Sequence, residues 1–272
     1  PARSTEDSTM NLLDLPLVST VLDAAYRALM GVSDLLDPLF GGAAAAAAVV
    51  LLTLAVRALL VPVGVSQAKA ERDRARLAPR LAELQRRHRD DPERLRRATV
   101  ELYTQEGTTP LAGCLPMLAQ APVVGVVYAL FLHAEIAGHG NALLGHTLLG
   151  APLGSSLVGA LGAGGVPTAV VAGVVVLAIA LVGELTRRAS RPGGRLALPR
   201  TAPVADTGPS VPGAAVLSGP GLQNALGALQ FVTAVIACFV PLAAGLYLLV
   251  TVTWTLGQRL VLRRRYPLVA TA

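Results

Sequence analysis

Long apolar segments with almost no charge alternate with more polar segments along this chain. The clearest apolar segments are residues 43–63, 113–133, 166–183, 222–240 and 242–262. Each is close to the length of about 20 residues that a helix needs to cross a bilayer. Helices also satisfy their backbone hydrogen bonds internally, as lipid requires. The pattern therefore predicts an all-α integral membrane protein with five transmembrane helices, which we number as spans 1 to 5.

The segments between the spans have their own patterns. Residues 12–40 mix apolar side chains with acidic ones, which predicts an amphipathic helix on the outer membrane surface. We find no conventional cleaved signal peptide, and Met10 is a candidate start. The predicted non-spanning segments are an N-terminal tail with this interfacial helix, a cytoplasmic helical hairpin, an extracytoplasmic loop, a flexible cytoplasmic loop and a cytoplasmic tail: residues 1–42, 64–112, 134–165, 184–221 and 263–272.

The hairpin is predicted from two amphipathic stripes and a helix start between them. Leucines and alanines recur at helical spacing in both halves, at Leu77, Leu81 and Leu84, then at Leu95, Ala98 and Leu102. Asp91, Pro92 and Glu93 provide an N-cap, a first-turn proline and an acidic first turn. We expect an antiparallel pair in which Pro79 kinks or divides the first helix. Its role is either that of a solvated coiled-coil hairpin or that of a mobile platform that first meets a polypeptide or the lipid surface.

The distribution of Lys and Arg predicts the orientation. Residues 64–112 contain eleven basic residues, and residues 134–165 contain none. Basic residues also occupy the linker after span 3 and follow span 5. Because basic loops stay in the cytoplasm, five spans give an N-out/C-in protein. A sixth span over Leu143–Gly165 would move the basic linker outside, and its glycines and Pro152 disfavour a helix.

Composition supports the membrane assignment and argues against other classes. Only 15% of residues are charged, against about 25% in soluble domains. The net charge of +6 lies beside apolar segments, as expected for topology signals and attraction to anionic lipids rather than for specific nucleic-acid binding. Cys114 and Cys238 lie in apolar segments, so we expect both to be small buried hydrophobic side chains rather than a disulfide or a metal site. The histidines have no HExxH-type spacing, so we expect neither an enzyme nor a cofactor.

Arg57 is the charge that stands out, because it lies inside span 1. Burying an arginine at bilayer centre costs roughly 2.5–3.5 kcal/mol on insertion scales. Its side chain either reaches the headgroups by snorkelling or faces a wet cavity between helices. No span contains an acidic residue to pair with it. Polar residues of several spans are candidates to line the same cavity: Thr53, Gln120, Gln230, Thr251, Thr255 and Gln258.

Several motifs together resemble the YidC family of membrane insertases, the bacterial branch of the group that includes the mitochondrial Oxa and chloroplast Albino proteins. The most distinctive runs from Glu101-Leu102-Tyr103 through residues 109–122, with Tyr128 after it. Span 1 places Arg57 five residues before Pro62, and the hairpin contains Leu77-Ala78-Pro79. The final helix matches in ungapped register at Pro241, Tyr247, Trp254, Gly257 and Gln258. The resemblance covers about residues 40–262.

The resemblance implies a non-catalytic insertase of the bacterial cytoplasmic membrane. In this family a hydrophilic groove, open to the cytoplasm and to lipid, receives nascent polypeptide segments and releases them into the bilayer. If this chain has the same groove, the resemblance implies that it contains Arg57, Thr53, Gln120, Gln230, Tyr247, Thr251, Trp254 and Gln258. The motif positions with structural roles would be Pro62, Pro79, Pro110, Gly113, Cys114, Pro116, Pro122 and Pro241. Implied partners are nascent membrane proteins, with the ribosome, the Sec translocon and anionic lipids as candidates.

Two other function classes stay open at this point. A small polytopic channel or transporter would need a through-pore or inverted repeats. A non-catalytic scaffold subunit for other membrane proteins would tolerate replacement of Arg57 by alanine.

Overall fold

A computed structural model describes residues 16–89, 91–107, 125–133, 135–136, 139–190 and 231–266. The chain divides into two compact units. Of the described residues, unit 1 comprises those within Pro1–Leu52, Pro122–Gly173 and Ala237–Tyr247, and unit 2 comprises those within Thr53–Ala121, Val174–Ile236 and Leu248–Ala272.

The described residues are mostly helical. A 3₁₀ turn at Gly41–Ala43 joins the first two helices. In chain order the helices are α1 Pro16–Phe40, α2 Ala44–Leu59, α3 Val61–Arg87, α4 Pro92–Gln105, α5 over residues 125–132, α6 Leu157–Gly162, α7 Val166–Ser190, α8 over residues 231–237 and α9 Leu242–Arg265.

Within the described residues, three helical segments are long and apolar enough to cross a membrane. They are Ser19–Leu59, which joins most of α1 to α2, and then Val166–Ser190 and Leu242–Arg265. The last two contain predicted spans 3 and 5, and α2 covers most of predicted span 1. Predicted spans 2 and 4 are described only over residues 125–133 and 231–240, so the number five stays a prediction.

Unit 1 contains two small β-hairpins in a segment that was predicted to be a loop. Strand β1 (Glu135–Ile136) pairs antiparallel with β2 (His139–Gly140), and β3 (Thr147–Leu148) pairs with β4 (Ala151–Pro152). Between β3 and β4, Leu149 and Gly150 both have positive φ, at 51° and 82°, as a two-residue type I′ turn requires. With α6 after them, these elements make residues 143–165 too irregular to cross a bilayer as one helix.

Three hydrogen bonds hold the β-hairpin segment within unit 1. The Asn141 side chain donates to two carbonyl oxygens, those of Leu130 at 2.7 Å and His133 at 2.9 Å. The backbone N–H of Ala142 donates to the Tyr26 hydroxyl at 3.1 Å, which ties this segment to α1. A buried carbonyl without a hydrogen-bond donor is unfavourable. Asn141 therefore stabilises the C-terminal end of α5 by donating to carbonyls there that lack intrahelical partners.

The start of α9 is hydrogen-bonded to the segment after β4. The N–H groups of Leu242 and Ala243 donate to the carbonyls of Ser155 at 2.9 Å and Leu153 at 3.0 Å. These are among the N–H groups that a helix leaves without intrahelical partners. Pro241 directly precedes the helix, and its carbonyl accepts the first intrahelical bond from Gly245.

Unit 2 contains the helical hairpin of α3 and α4. As predicted from the sequence, the Asp91 side chain caps α4 by accepting a hydrogen bond from the Arg94 N–H at 2.9 Å. Leu77 is 2% exposed and Leu102 is 9% exposed, so both predicted stripes contribute to the packing. Of the two alternatives expected for Pro79, division of the helix is excluded, since α3 continues through Pro79 to Arg87, and a kink stays a prediction.

A carboxylate at the end of α4 also binds α3. Glu106 accepts a hydrogen bond from Arg76 at 2.7 Å and forms a second ion pair with Arg80. The two arginines are one helical turn apart, so one carboxylate reaches both. We call these three residues the Glu106 clasp.

The part of α7 in unit 2 is apolar along one exposed face. Val174, Leu177, Leu181 and Leu185 recur at helical spacing on this face and are all exposed. The last turns of the helix are charged, and there Glu184 forms ion pairs with Arg187 at 2.6 Å and with Arg188 at 2.8 Å. An apolar face that ends in a charged turn is the pattern of a helix that leaves the bilayer.

Candidate functional site

A cavity of about 120 Å³ lies in unit 2 between the first turns of α3 and the second half of α9, with Arg57 of α2 at its wall. We call it the α3–α9 cavity. Its lining residues are Arg57, Gly64, Gln67, Ala68, Glu71, Thr255, Gln258, Arg259, Leu262, Arg263 and Tyr266.

The lining follows from helical periodicity. On α3 the lining positions are 64, 67, 68 and 71, and on α9 they are 255, 258, 259, 262, 263 and 266. Steps of three and four residues keep side chains on one face of a helix. Each helix therefore presents one continuous face to the cavity, and on α9 this face changes from uncharged to basic toward the C-terminus.

Arg57 reaches the cavity because the chain changes helix just after it. Helix α2 ends at Leu59, and α3 begins at Val61 with Pro62 in its first turn. Proline suits this position since the first N–H groups of a helix have no intrahelical acceptor. Arg57 is half-buried, and within the described parts of the chain its guanidinium has no hydrogen-bond or ion-pair partner.

Gln258 has a fixed orientation at the cavity wall. Its Oε1 accepts a hydrogen bond from the Trp254 indole Nε1 at 3.0 Å. Its Nε2 therefore points the other way, toward Gly64, where an added Cβ would lie only 1.7 Å from that nitrogen. Glycine at position 64 leaves the space that the amide occupies.

The cavity carries more positive than negative charge. Arg57, Arg259 and Arg263 face it together with one carboxylate, that of Glu71. Glu71 and Arg263 form an ion pair at 3.3 Å, which is long for a charge-assisted hydrogen bond of usually about 2.7–2.9 Å. At the edge of the cavity, the Lys69 ammonium lies 5.9 Å from the centre of the Tyr266 ring.

The structure brings some of the predicted groove residues together. Arg57, Thr255 and Gln258 line the cavity, and Trp254 acts on it through its bond to Gln258. Thr53 lies one turn before Arg57 on α2 and is 6% exposed.

Other predicted groove residues lie elsewhere. The Thr251 hydroxyl is buried and has no hydrogen-bond partner among the described residues, but it does not line the cavity. Tyr247 belongs to unit 1, where its ring packs against Phe131 with the centroids 6.2 Å apart. Gln120 and Gln230 lie outside the described residues.

Three of the motif positions can be placed. Pro62 is in the first turn of α3, Pro79 lies within α3, and Pro241 precedes α9. The others, Pro110, Gly113, Cys114, Pro116 and Pro122, lie outside the described residues.

Sequence reasoning missed several lining residues, namely Gln67, Glu71, Arg259, Arg263 and Tyr266. Arg263 was interpreted only as a topology signal, and Arg259, which lies inside predicted span 5, was not considered. Extending the polar face of Thr255 and Gln258 by further steps of three and four residues would have reached Arg259, Arg263 and Tyr266.

The side chains offer binding rather than bond-breaking chemistry. Guanidinium, amide and hydroxyl groups can attract and hydrogen-bond an anionic or polar guest. In the part of the chain that the structure covers, no group of three or more His, Cys, Asp or Glu residues could hold a metal ion.

A family model described as 60Kd inner membrane protein matches residues 35–269, which is most of the chain. The chain belongs to this family. The resemblance to YidC insertases is thereby confirmed, and with it a multi-pass protein of the bacterial inner membrane. The family is one of non-catalytic insertases, in agreement with the prediction that the chain is not an enzyme.

Curated relatives carry the name Membrane protein insertase YidC. The chain is 29% identical to that of Clostridium perfringens over 114 residues, which cover 42% of this chain and 48% of the relative. It is 36% identical to that of Oceanobacillus iheyensis over 94 residues, or 33% of this chain and 37% of the relative. It is 37% identical to that of Shewanella halifaxensis over 94 residues, which cover 35% of this chain and 17% of the relative. Each match thus spans less than half of the relative's length.

Proposed function

We propose that this protein is a membrane protein insertase that receives a polar segment of a nascent chain beside Arg57 and releases its apolar segment into lipid. The observation that carries the proposal is the guanidinium of Arg57 at the wall of a polar cavity, where no described residue pairs with it. The names of the relatives support the same activity.

Arg57 contributes through electrostatics and hydration. An acidic or polar tail that enters a wet cavity keeps much of its hydration, whereas hydrocarbon would remove it at a cost of several kcal/mol per charge. Arg57 attracts the carboxylates of the tail, and Gln258 and Thr255 provide uncharged hydrogen-bonding groups beside it. Because no internal carboxylate pairs with Arg57 within the described residues, a guest does not have to displace one. The apolar segment of the substrate then moves into lipid.

The groove in this proposal extends beyond the α3–α9 cavity. It includes Thr53, Gln120, Gln230, Tyr247, Thr251 and Trp254 as further contacts for the substrate. Five spans in an N-out/C-in arrangement place the α3–α4 hairpin in the cytoplasm, where it meets the emerging chain. The ribosome, the Sec translocon and anionic lipids are the proposed partners besides the substrate.

The test is insertion by the reconstituted full-length protein of a single-span substrate with an acidic N-terminal tail. We expect Arg57→Ala to reduce protease protection of the tail about tenfold or more, Arg57→Glu to reduce it further by repulsion, and Arg57→Lys to retain most of it. This order follows from the charge at position 57, since about 1.4 kcal/mol corresponds to a factor of ten.

Arg264→Ala is the matched control, because Arg264 is an exposed arginine of the same unit that does not line the cavity. Equal insertion by wild type, Arg57→Ala and Arg57→Glu would contradict the role of Arg57.

A further inference from the structure

The α3–α9 cavity contains more positive charge than its own carboxylate can neutralise. Arg57 and Arg259 have no ion-pair partner among the described residues, and the pair of Arg263 with Glu71 is long, at 3.3 Å. Arg259 is exposed, whereas Arg57 is half-buried and loses part of its hydration, which is unfavourable for a charge without a partner. The cavity therefore favours occupation by an anion.

The cavity is large enough for a phosphate-sized group. Its volume of about 120 Å³ is several times the roughly 30 Å³ that one water molecule occupies in the liquid. Arginine side chains also match the oxygen geometry of a phosphate, because the planar guanidinium donates two parallel hydrogen bonds. The donor set at Arg259 and Arg263 thus suits a phosphodiester.

The position of the cavity along the helices indicates where that phosphate comes from. Helix α9 has no charged residue from Leu242 to Gln258, and its basic residues begin at Arg259. Helix α2 is apolar up to Leu59 apart from Thr53 and Arg57, and α3 becomes polar from Ser66 onward. Such a change from apolar to charged sequence occurs at the level of the lipid headgroups. Tyr266 and Lys69 at the cavity edge are residue types that are common at this level.

We propose that the α3–α9 cavity binds the phosphate of an anionic phospholipid, with Arg259 and Arg263 as its main ligands and Arg57 as a third cation. Glu71 competes with the phosphate for Arg263. The inference goes beyond the proposed function, which names anionic lipids as partners but assigns them no site, and it holds whether or not the chain inserts proteins.

The test is a titration of the purified full-length protein in neutral detergent with phosphatidylglycerol, followed by native mass spectrometry. We expect Arg259→Gln combined with Arg263→Gln to weaken binding at least tenfold, since a basic residue contributes about fivefold near an anionic headgroup. Arg264→Gln combined with Arg265→Gln removes the same charge outside the cavity and should change binding less than threefold. Glu71→Gln should strengthen binding about threefold to fivefold.

The Glu71→Gln variant keeps all arginines, so it tests the site even if the double cavity variant does not fold. Equal weakening by the two double variants, or no strengthening by Glu71→Gln, would overturn the site. Displacement of the lipid by millimolar inorganic phosphate would overturn the lipid assignment in favour of a free phosphate. Displacement by an acidic peptide at equal concentration would overturn it in favour of a polypeptide ligand.

Discussion

Gly64 has a role that depends on its missing side chain. The amide of Gln258 fills the space where a Cβ would lie, and the same amide accepts the hydrogen bond from Trp254. Gly64→Ala should push the Gln258 amide aside and break this bond, which contributes about 1 kcal/mol. The measurement is the emission of Trp254, the one tryptophan of the chain, and we expect its wavelength and intensity to change.

Gly257→Ala is the control for this prediction. Gly257 lies on the same helix as Gln258, and a Cβ there would meet nothing within 4 Å. Both substitutions gain helix propensity of roughly 0.5–1 kcal/mol, so the difference between the two variants isolates the contact with Gln258. An unchanged Trp254 emission in Gly64→Ala would show that the amide does not need this space.

The role of a single residue can be predicted from the sequence where neighbouring residues in the chain are enough to indicate it. Arg57 is visible as a charge in an apolar helix, and Asp91 as a cap followed by proline. The contact of Gly64 with Gln258 joins positions that are far apart in the chain, and no periodicity within one helix reveals it. Arg263 was missed for another reason, since an arginine after a span has a sufficient explanation in topology. Arg259 lies inside predicted span 5 and was overlooked there.

At the scale of elements, the Glu106 clasp joins the end of α4 to the middle of α3. Arg76 and Arg80 are 56% and 63% exposed, so water screens both ion pairs and their contribution is about 0.5–1 kcal/mol. Glu106→Gln should therefore open the α3–α4 pair more often without unfolding it. Hydrogen–deuterium exchange of the α4 amides is expected to become about two- to fivefold faster.

Glu93→Gln provides the comparison, because Glu93 pairs with Arg97 inside α4 at 3.0 Å and does not contact α3. Its effect should be smaller and limited to the first turns of α4. Equal exchange in wild type and Glu106→Gln would mean that apolar packing at Leu77 and Leu102 alone holds the helices together.

The elements differ in how far their sequences determine them. Helices α3 and α4 have apolar stripes and a cap at their junction, so both were predictable with their order and their contact. Strands β1 to β4 have two residues each, which is too short for an alternating pattern to appear. Their hairpins depend instead on the turn at Leu149 and Gly150 and on the Asn141 side chain.

For the whole molecule, the N-out/C-in arrangement predicts opposite accessibility of two exposed positions. Leu149 is 82% exposed in the segment expected outside, and Val100 is 50% exposed in the hairpin expected inside. With Cys114 and Cys238 replaced by alanine, a membrane-impermeant thiol reagent should label Leu149→Cys in intact cells. It should label Val100→Cys only after the membrane is opened, because the reagent does not cross the bilayer.

Labelling of Val100→Cys but not of Leu149→Cys in intact cells would mean that the topology is the reverse of the predicted one. Labelling of both positions in intact cells would exclude a cytoplasmic hairpin. The prediction of five spans rests on apolar length alone, whereas the predicted side of each loop rests on a difference in charge between loops. That difference is large here, with eleven basic residues in residues 64–112 before span 2 and none in residues 134–165 between spans 2 and 3.

The capping of α9 also has a consequence for the order in which the protein itself is assembled. The carbonyls of Leu153 and Ser155 are synthesised well before Leu242 and Ala243, whose N–H groups they accept. Because synthesis proceeds from the N-terminus, the carbonyls of the segment after β4 cannot form these hydrogen bonds until α9 has been synthesised. Docking of α9 is then the step that completes unit 1.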